Sequence, residues 1–223
     1  MKLFPMLAVG AAMMLAQPAF ADAKSEAYVE ASANKVLKVL SDDTMTDDAR
    51  AVKFSQFMHE FAHVPTIARR VLGVSGRSLS EADFNKYYKA FEEYAIAVYE
   101  VQLDQFRGEA LKITGSTDID ARRSQVKSLI KSSQTGKDVE VIWDVLQSAD
   151  GKTYRVRDVG LNLNGSVLWL AQDQQAQFES FLDRNNGDVD KLVARIDKMT
   201  ADLEARKRAG GGSTLGQARG KQL

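Results

Sequence analysis

An α+β fold, with a twisted antiparallel sheet of about four strands covered by several helices, is predicted by three features of the 223-residue chain. Two alternating apolar runs flank Ala149-Asp150-Gly151-Lys152 and read as the central hairpin of a sheet. Long stretches before and after the hairpin repeat apolar residues at helical spacing instead. The chain has no cysteine, so nothing but packing of helices on the sheet can hold it together.

In the first hairpin run Val139, Val141, Trp143 and Val145 share one face, and Ile142 and Leu146 lie on the other with Glu140 and Asp144. The Asp-Gly pair supplies the positive φ of a tight turn. In the second run Val159, Leu161 and Leu163 share a face that begins with Arg155 and Arg157, so this strand is expected to pass from wet to dry along its length. One face of the sheet is therefore apolar, and helices must cover it.

The chain begins with Lys2, an apolar run from Leu3 to Ala16, and Pro18-Ala19-Phe20-Ala21. A basic start, a short hydrophobic region and an Ala-x-Ala site read as a secretory signal peptide over residues 1–21. The run is too short to span a bilayer comfortably, and no later segment approaches transmembrane length. Residues 22–205 then form one domain large enough for a substantial core. Residues 206–223 form a basic, Gly-rich tail expected to be disordered, since Gly210-Gly211-Gly212-Ser213-Thr214 with scattered Arg and Lys buries too little apolar surface to order. The chain as a whole balances 30 basic against 30 acidic side chains. Because the tail is basic, the body is acidic, which argues against nucleic acid as its partner.

Within the body, Ala23 to Leu40 places Tyr28, Ala31, Val36, Val39 and Leu40 at helical spacing. Thr46 is a good N-cap for a second helix with Phe54, Phe57, Met58 and Phe61 inward. Pro65 is expected to end it near His63 or Val64, and a short helix from Thr66 to Leu72 stops at Gly73. Ser80 with Asp83 resembles a capping box and opens the longest amphipathic helix. Its stripe includes Phe84, Tyr87, Phe91, Tyr94, Val98 and Tyr99. Such a stripe is either plain core or the lining of something larger, and periodicity alone does not separate the two. Leu111–Thr114 and Val126–Ile130 are short alternating runs that join the hairpin. Leu170–Asp183 reads as a helix with Phe178, Phe181 and Leu182 inward, closed by Asn185-Asn186-Gly187. A final helix from about Asp188 carries Leu192, Val193, Ile196, Met199 and Leu203.

One motif invites catalysis. His59-Glu60-Phe61-Ala62-His63 matches H-E-x-x-H, in which two histidines on one helical turn bind zinc and the glutamate acts as base. The chain has only these two histidines, so a third ligand would have to be a carboxylate such as Glu81, Glu92 or Glu93. Pro65 also interrupts the helix that such a site requires. Chance spacing is the preferred reading, and zinc metalloprotease the alternative. No nucleophile context, phosphate loop or carboxylate pair marks an enzyme elsewhere, and no cofactor is expected.

Several short segments recur in an order that resembles the MlaC family, the toluene-tolerance or phospholipid-binding proteins of the Gram-negative periplasm. They are Ile67-Ala68-Arg69-Arg70-Val71-Leu72-Gly73, the aromatic run from Phe84 to Tyr99, Tyr154-Arg155-Val156-Arg157-Asp158-Val159, Asn164-Gly165-Ser166-Val167, and Gln177-Phe178. The resemblance covers about Ala27 to Leu203. It departs at Phe61-Ala62-His63, where the family carries Phe-Asp-Phe, near Gly76, where a Trp is usual, and at Tyr154, which replaces another Trp. A divergent branch handling a hopanoid is the alternative within the same fold.

The resemblance implies a periplasmic carrier that holds phospholipid acyl chains in a cavity between helices and sheet. Its partners would be an outer-membrane lipoprotein–porin complex and an inner-membrane ABC transporter, and its role the maintenance of outer-membrane lipid asymmetry. On this reading Val71, Phe91, Tyr94, Val98, Val141, Trp143, Leu161 and Leu163 are the residues expected to line the cavity.

Overall fold

The computed structural model describes residues 23–208, the side chains of Asp47, Asp104 and Arg208 apart. The expected signal peptide and all but the first residues of the tail lie outside the described residues. Residues 206–208 are helical and continue the last helix.

The sheet has five strands in sequence order, each antiparallel to the next: β1 (Lys112–Asp120), β2 (Arg123–Lys131), β3 (Asp138–Gln147), β4 (Tyr154–Leu163) and β5 (Ser166–Trp169). The expected hairpin is β3–β4, with Gly151 at φ 72 in its turn. The fifth strand exceeds the expected four. It follows Asn164-Gly165, both at positive φ (56 and 90), the dipeptide that best fits a two-residue hairpin turn.

β4 carries a bulge. Asp144 faces Asp158 while the next residue, Val145, faces Val156, so Arg157 is one residue too many for its partner strand. An extra residue reverses the alternation on either side of it. Val159 and Leu161 therefore share the dry face with Val156, which pairs with Val145, and Arg155 falls opposite Leu146. The expectation that this face begins with Arg155 and Arg157 is corrected: it begins with a buried valine.

Helices cover that face. α1 (Ala23–Leu40) lies against β1, β2 and β3. α2 (Asp47–Phe61) is capped by the Thr46 hydroxyl, which accepts the Ala49 N–H at 3.2 Å. It stops at Phe61, earlier than expected, because His63 caps α3 (Val64–Val71) and Pro65 sits in the first turn of that helix, where its missing N–H loses no hydrogen bond. After the single turn α4 (Ser75–Ser78), Ser80 opens α5 (Glu81–Leu103) by accepting the Asp83 N–H at 3.1 Å and donating to its carboxylate at 2.7 Å. α6 (Leu170–Arg184) packs on β4 and α3, and α7 (Val189–Arg208) lies along α5.

The α5 stripe divides between two neighbours. Phe84, Tyr87, Ala90 and Phe91 pack with Phe178, Leu182, Leu192 and Ile196 in a helical core. Phe178 meets the rings of Tyr87 and Phe91 edge-on. The far end of α7 is fastened by Lys207, whose Nζ donates to the buried Glu100 carboxylate at 2.8 Å.

Leu192 is 0 % exposed at the seam between α5 and α7. Leu192→Ala should lower the unfolding free energy by about 2–5 kcal/mol, read from urea denaturation. A loss well under 1 kcal/mol would mean that α7 contributes little to the fold.

Candidate functional site

Between the dry face of the sheet and the helices lies a cavity of about 210 Å³. Its floor is Ile130, Val141, Trp143, Val156, Val159 and Leu161. From above, α5 contributes Phe91, Tyr94, Ala95, Val98 and Tyr99, while α1, α2, α3 and α6 close the sides. The space exists because the side chains around it are short: Ala33, Ala62, Ala95 and Ala171 stand where larger residues would close it. Val98, Trp143 and Val159 are only partly buried although they lie among buried neighbours, as expected of side chains that face a void.

The floor is held rigidly at Trp143. Its indole N–H donates to Ser128 Oγ at 2.8 Å, and Ser128 Oγ donates in turn to the Val141 carbonyl at 3.2 Å. Phe61 stands edge-on to the indole with ring centres 5.6 Å apart, and Tyr28 packs beside Phe61 while donating its hydroxyl to the Phe61 carbonyl at 2.8 Å.

One part of the wall is polar. Asp158, 4 % exposed, accepts the N–H groups of Val159 at 2.8 Å and Ala171 at 2.9 Å through Oδ1, and the Arg70 guanidinium at 3.3 Å through Oδ2. Burial raises its pKa above the ordinary carboxylate value, and the two backbone N–H groups and Arg70 offset part of that rise. The Tyr99 phenol is pushed up as well, first by burial and then by the Asp158 and Tyr94 side chains. Tyr94 donates its hydroxyl to Gln174 Oε1 at 3.3 Å. Gln177 donates to Asp173 Oδ2 at 3.0 Å. Gln174 Nε2 and Arg70 Nη1 are buried without a hydrogen-bond partner.

Seven of the eight residues expected to line the cavity stand on its wall: Val71, Phe91, Tyr94, Val98, Val141, Trp143 and Leu161. Leu163 does not. It lies at the end of β4, 39 % exposed and outside the cavity, because it shares the face of Leu161 but emerges past the helical cover. Sequence reasoning missed Val156, Arg157 and Gln174. Gln174 left a readable signal, a glutamine within the inward stripe Ala171, Phe178, Leu182 of α6.

The H-E-x-x-H residues are engaged elsewhere. His59 pairs with the Glu92 carboxylate of α5. Glu60 pairs with Lys35 of α1 at 3.1 Å. His63 lies past the end of α2, where its Nδ1 accepts the Thr66 N–H at 3.3 Å. The two imidazoles therefore do not share a helical turn, and the zinc geometry that the spacing offered is not formed. Among the described residues no three His, Cys, Asp or Glu side chains gather as metal ligands.

A family model described as "MlaC protein" matches residues 30–198. Among solved structures, the phospholipid-binding protein from Ralstonia solanacearum, determined in complex with a phospholipid, is similar with a TM-score of 0.65 at 21 % identity, over 80 % of this chain and 98 % of that one. No curated protein matches the chain.

The raised pKa of Asp158 fixes the sign of a pH effect. The folded state holds this proton more tightly than the unfolded chain, so the contribution of the group to stability is full below its ordinary value of 3.8 and is lost as pH rises through the raised value. Compared with Asp158→Asn, which cannot ionise, the parent protein should lose melting temperature on going from below pH 3.8 to neutrality. A melting-temperature difference that does not change with pH would contradict the assignment.

Proposed function

The chain belongs to the MlaC family, and from that premise we propose that it is a periplasmic phospholipid carrier. It takes up acyl chains in the cavity and moves lipid between an outer-membrane lipoprotein–porin complex and an inner-membrane ABC transporter, maintaining outer-membrane lipid asymmetry. The observation that carries this reading is the apolar cavity between helices and sheet. The phospholipid held by the Ralstonia protein of similar fold supports it, and the signal expected over residues 1–21 supports the compartment. Among the described residues, no helix is long and apolar enough to cross a membrane. The cavity wall carries no Ser, His or Cys, which favours binding over catalysis as its use.

The energetics suit a carrier. Each methylene removed from water contributes about 0.8 kcal/mol, so ten of them contribute about 8 kcal/mol, the scale of a micromolar complex before ordering costs. The same methylenes are already dry in a bilayer. Transfer from membrane to cavity is therefore nearly balanced, while escape to water is strongly opposed, and one cavity can both load and unload.

Size adds a requirement. An engineered cavity of about 150 Å³ holds a single benzene, so about 210 Å³ accepts only part of a diacyl lipid.

Val98→Trp should fill the space under α5 and reduce the lipid that co-purifies with the exported protein, measured by native mass spectrometry without detergent, while far-UV circular dichroism stays unchanged. Val52→Trp, on the 60 % exposed outer side of α2, should leave loading intact. A folded Val98→Trp protein with full lipid content would place the binding site elsewhere.

A further inference from the structure

We propose that the turn between α3 and α4 is a docking surface for a lipid bilayer that carries anionic headgroups, with Val74 entering the headgroup layer and Arg69 and Arg77 binding lipid phosphates. This contact lies outside the cavity and involves the membrane surface itself. Only its use, to bring a bilayer alongside the carrier, rests on the reading above.

Charge is concentrated here by the sequence and gathered by the fold. The twenty residues from Phe61 to Ser80 hold Arg69, Arg70 and Arg77 and no Asp or Glu, in a chain whose 30 basic and 30 acidic side chains otherwise balance. The three arginines line one open groove with Thr66, Val74 and Gln175. Arg70 is engaged by Asp158 at 3.3 Å. Arg69 and Arg77 are exposed, and among the described residues neither side chain makes an ion pair or hydrogen bond. The Arg69 guanidinium lies over the Phe84 ring, 3.6 Å from its centre, which fixes its plane and leaves its edge N–H groups for phosphate oxygens. Glu179, the acid against the turn, is directed at the backbone and at a neighbouring amide: it accepts the Val74 N–H at 3.3 Å and the Gln175 side chain at 3.2 Å.

Val74 supplies an apolar tip. At 74 % exposed, it is more open than any other large hydrophobic among the described residues. A single exposed valine means little by itself, but this one is held out rigidly between cations. Gly73 turns the chain at φ 57, where a Cβ would lie 1.6 Å from Glu179 Oε1. α4 sits so close on α3 that a Cβ on Gly76 would lie 2.8 Å from the Arg69 carbonyl oxygen. Arg69, Val74 and Arg77 are therefore presented in one fixed arrangement. An apolar side chain flanked by guanidinium groups matches a membrane interface, where phosphates lie directly over the acyl boundary. A protein partner would need an apolar pocket ringed by carboxylates, whereas any anionic bilayer offers both layers. Arg69 is on the side of α3 opposite Val64, Ile67 and Val71, which line the cavity, so a docked bilayer is one helix, about 10 Å, from the cavity.

The test uses the exported full-length protein with vesicles of phosphatidylethanolamine and phosphatidylglycerol, and with vesicles of phosphatidylcholine alone, read by co-sedimentation. The parent protein should bind the anionic vesicles, less as salt rises, and phosphatidylcholine about tenfold more weakly. Arg69→Gln and Arg77→Gln should each weaken anionic binding about fivefold, the effect of one basic side chain at such a surface. Val74→Asp should weaken it about tenfold. Lys127→Gln, which removes the same charge from an exposed position on β2, should leave it unchanged. Because the chain has no cysteine, a polarity-sensitive dye on Val74→Cys reports the tip alone; it should shift to the blue on anionic vesicles, and a dye on Val52→Cys should not. Should Arg69→Gln fail to fold without its contact to Phe84, Arg77→Gln decides the charge. A parent protein that does not bind the anionic vesicles overturns the proposal and leaves the arginines to a protein partner. Binding to which Arg77→Gln and Val74→Asp are indifferent, as a basic tail alone would give, overturns it too, and so does an equal loss in Lys127→Gln. Vesicle binding in the expected pattern by a protein that never carries lipid in its native mass spectrum would sustain the docking surface and bring down the carrier reading alone.

Discussion

The Asp158 carboxylate is the point on which the architecture turns. A cavity in the core reduces the packing that fixes helices to a sheet to the contacts beside it, such as Leu37 on Val141 and Leu161, and Val29 and Phe61 against Val126, Val145 and Val156. What remains is attachment around its edge. Asp158 reaches three elements from one position: it accepts its own strand's Val159 N–H, the Ala171 N–H in the first turn of α6, and the guanidinium of Arg70 on α3. The acceptance at α6 also places a negative charge where the helix dipole favours one. A buried charge is costly, and the upward push on its pKa records that cost. The contact persists because the two backbone N–H groups and the Arg70 guanidinium satisfy the carboxylate where water does not reach it.

The rest of the molecule compensates for the empty space. α5 buries one side in the helical core, where Tyr87, Phe91 and Phe178 meet ring against ring, and this side is packed as a filled core. Its other side, through Ala95, Val98 and Tyr99, looks onto the cavity. The sheet floor is stiffened from within by the Trp143–Ser128–Val141 hydrogen-bond chain and braced from above by Phe61, edge-on to the indole. Floor and helical layer together bound the cavity.

What the sequence made legible follows from where local chemistry decides. Thr46, Ser80 and the Asp150-Gly151 turn act within a few residues of themselves, and each forms the structure its chemistry dictates. The bulge was not legible, because nothing in Val156-Arg157-Asp158 shows which residue is surplus until Asp144 and Val145 set the register. β5 was missed although Asn164-Gly165 announced its turn, since four residues are too few for alternation to show. Leu163 misled because period two identifies a face and not where the cover ends. The H-E-x-x-H spacing misled for the opposite reason: i and i+4 coincide only if the helix continues, and the chain breaks at Ala62 to begin α3. Whether the α5 stripe meets a core or a void depends on how far away the sheet lies, which no periodicity contains.

A division of labour in the cavity follows. On the proposed reading, the apolar wall supplies affinity and almost no selectivity, since methylenes of any chain are equally dry against Val98, Val141 or Leu161. Gln174 is tied to Tyr94, and along α5 the chain runs from Tyr94 to Leu103, about 14 Å at 1.5 Å per residue, before Phe106 and Leu111 close that side of the cavity. The polar ties of Asp158 to α3 and α6 close the wall at the Tyr94 end of that path, so the empty cavity is held open between a braced floor and a fastened helical layer.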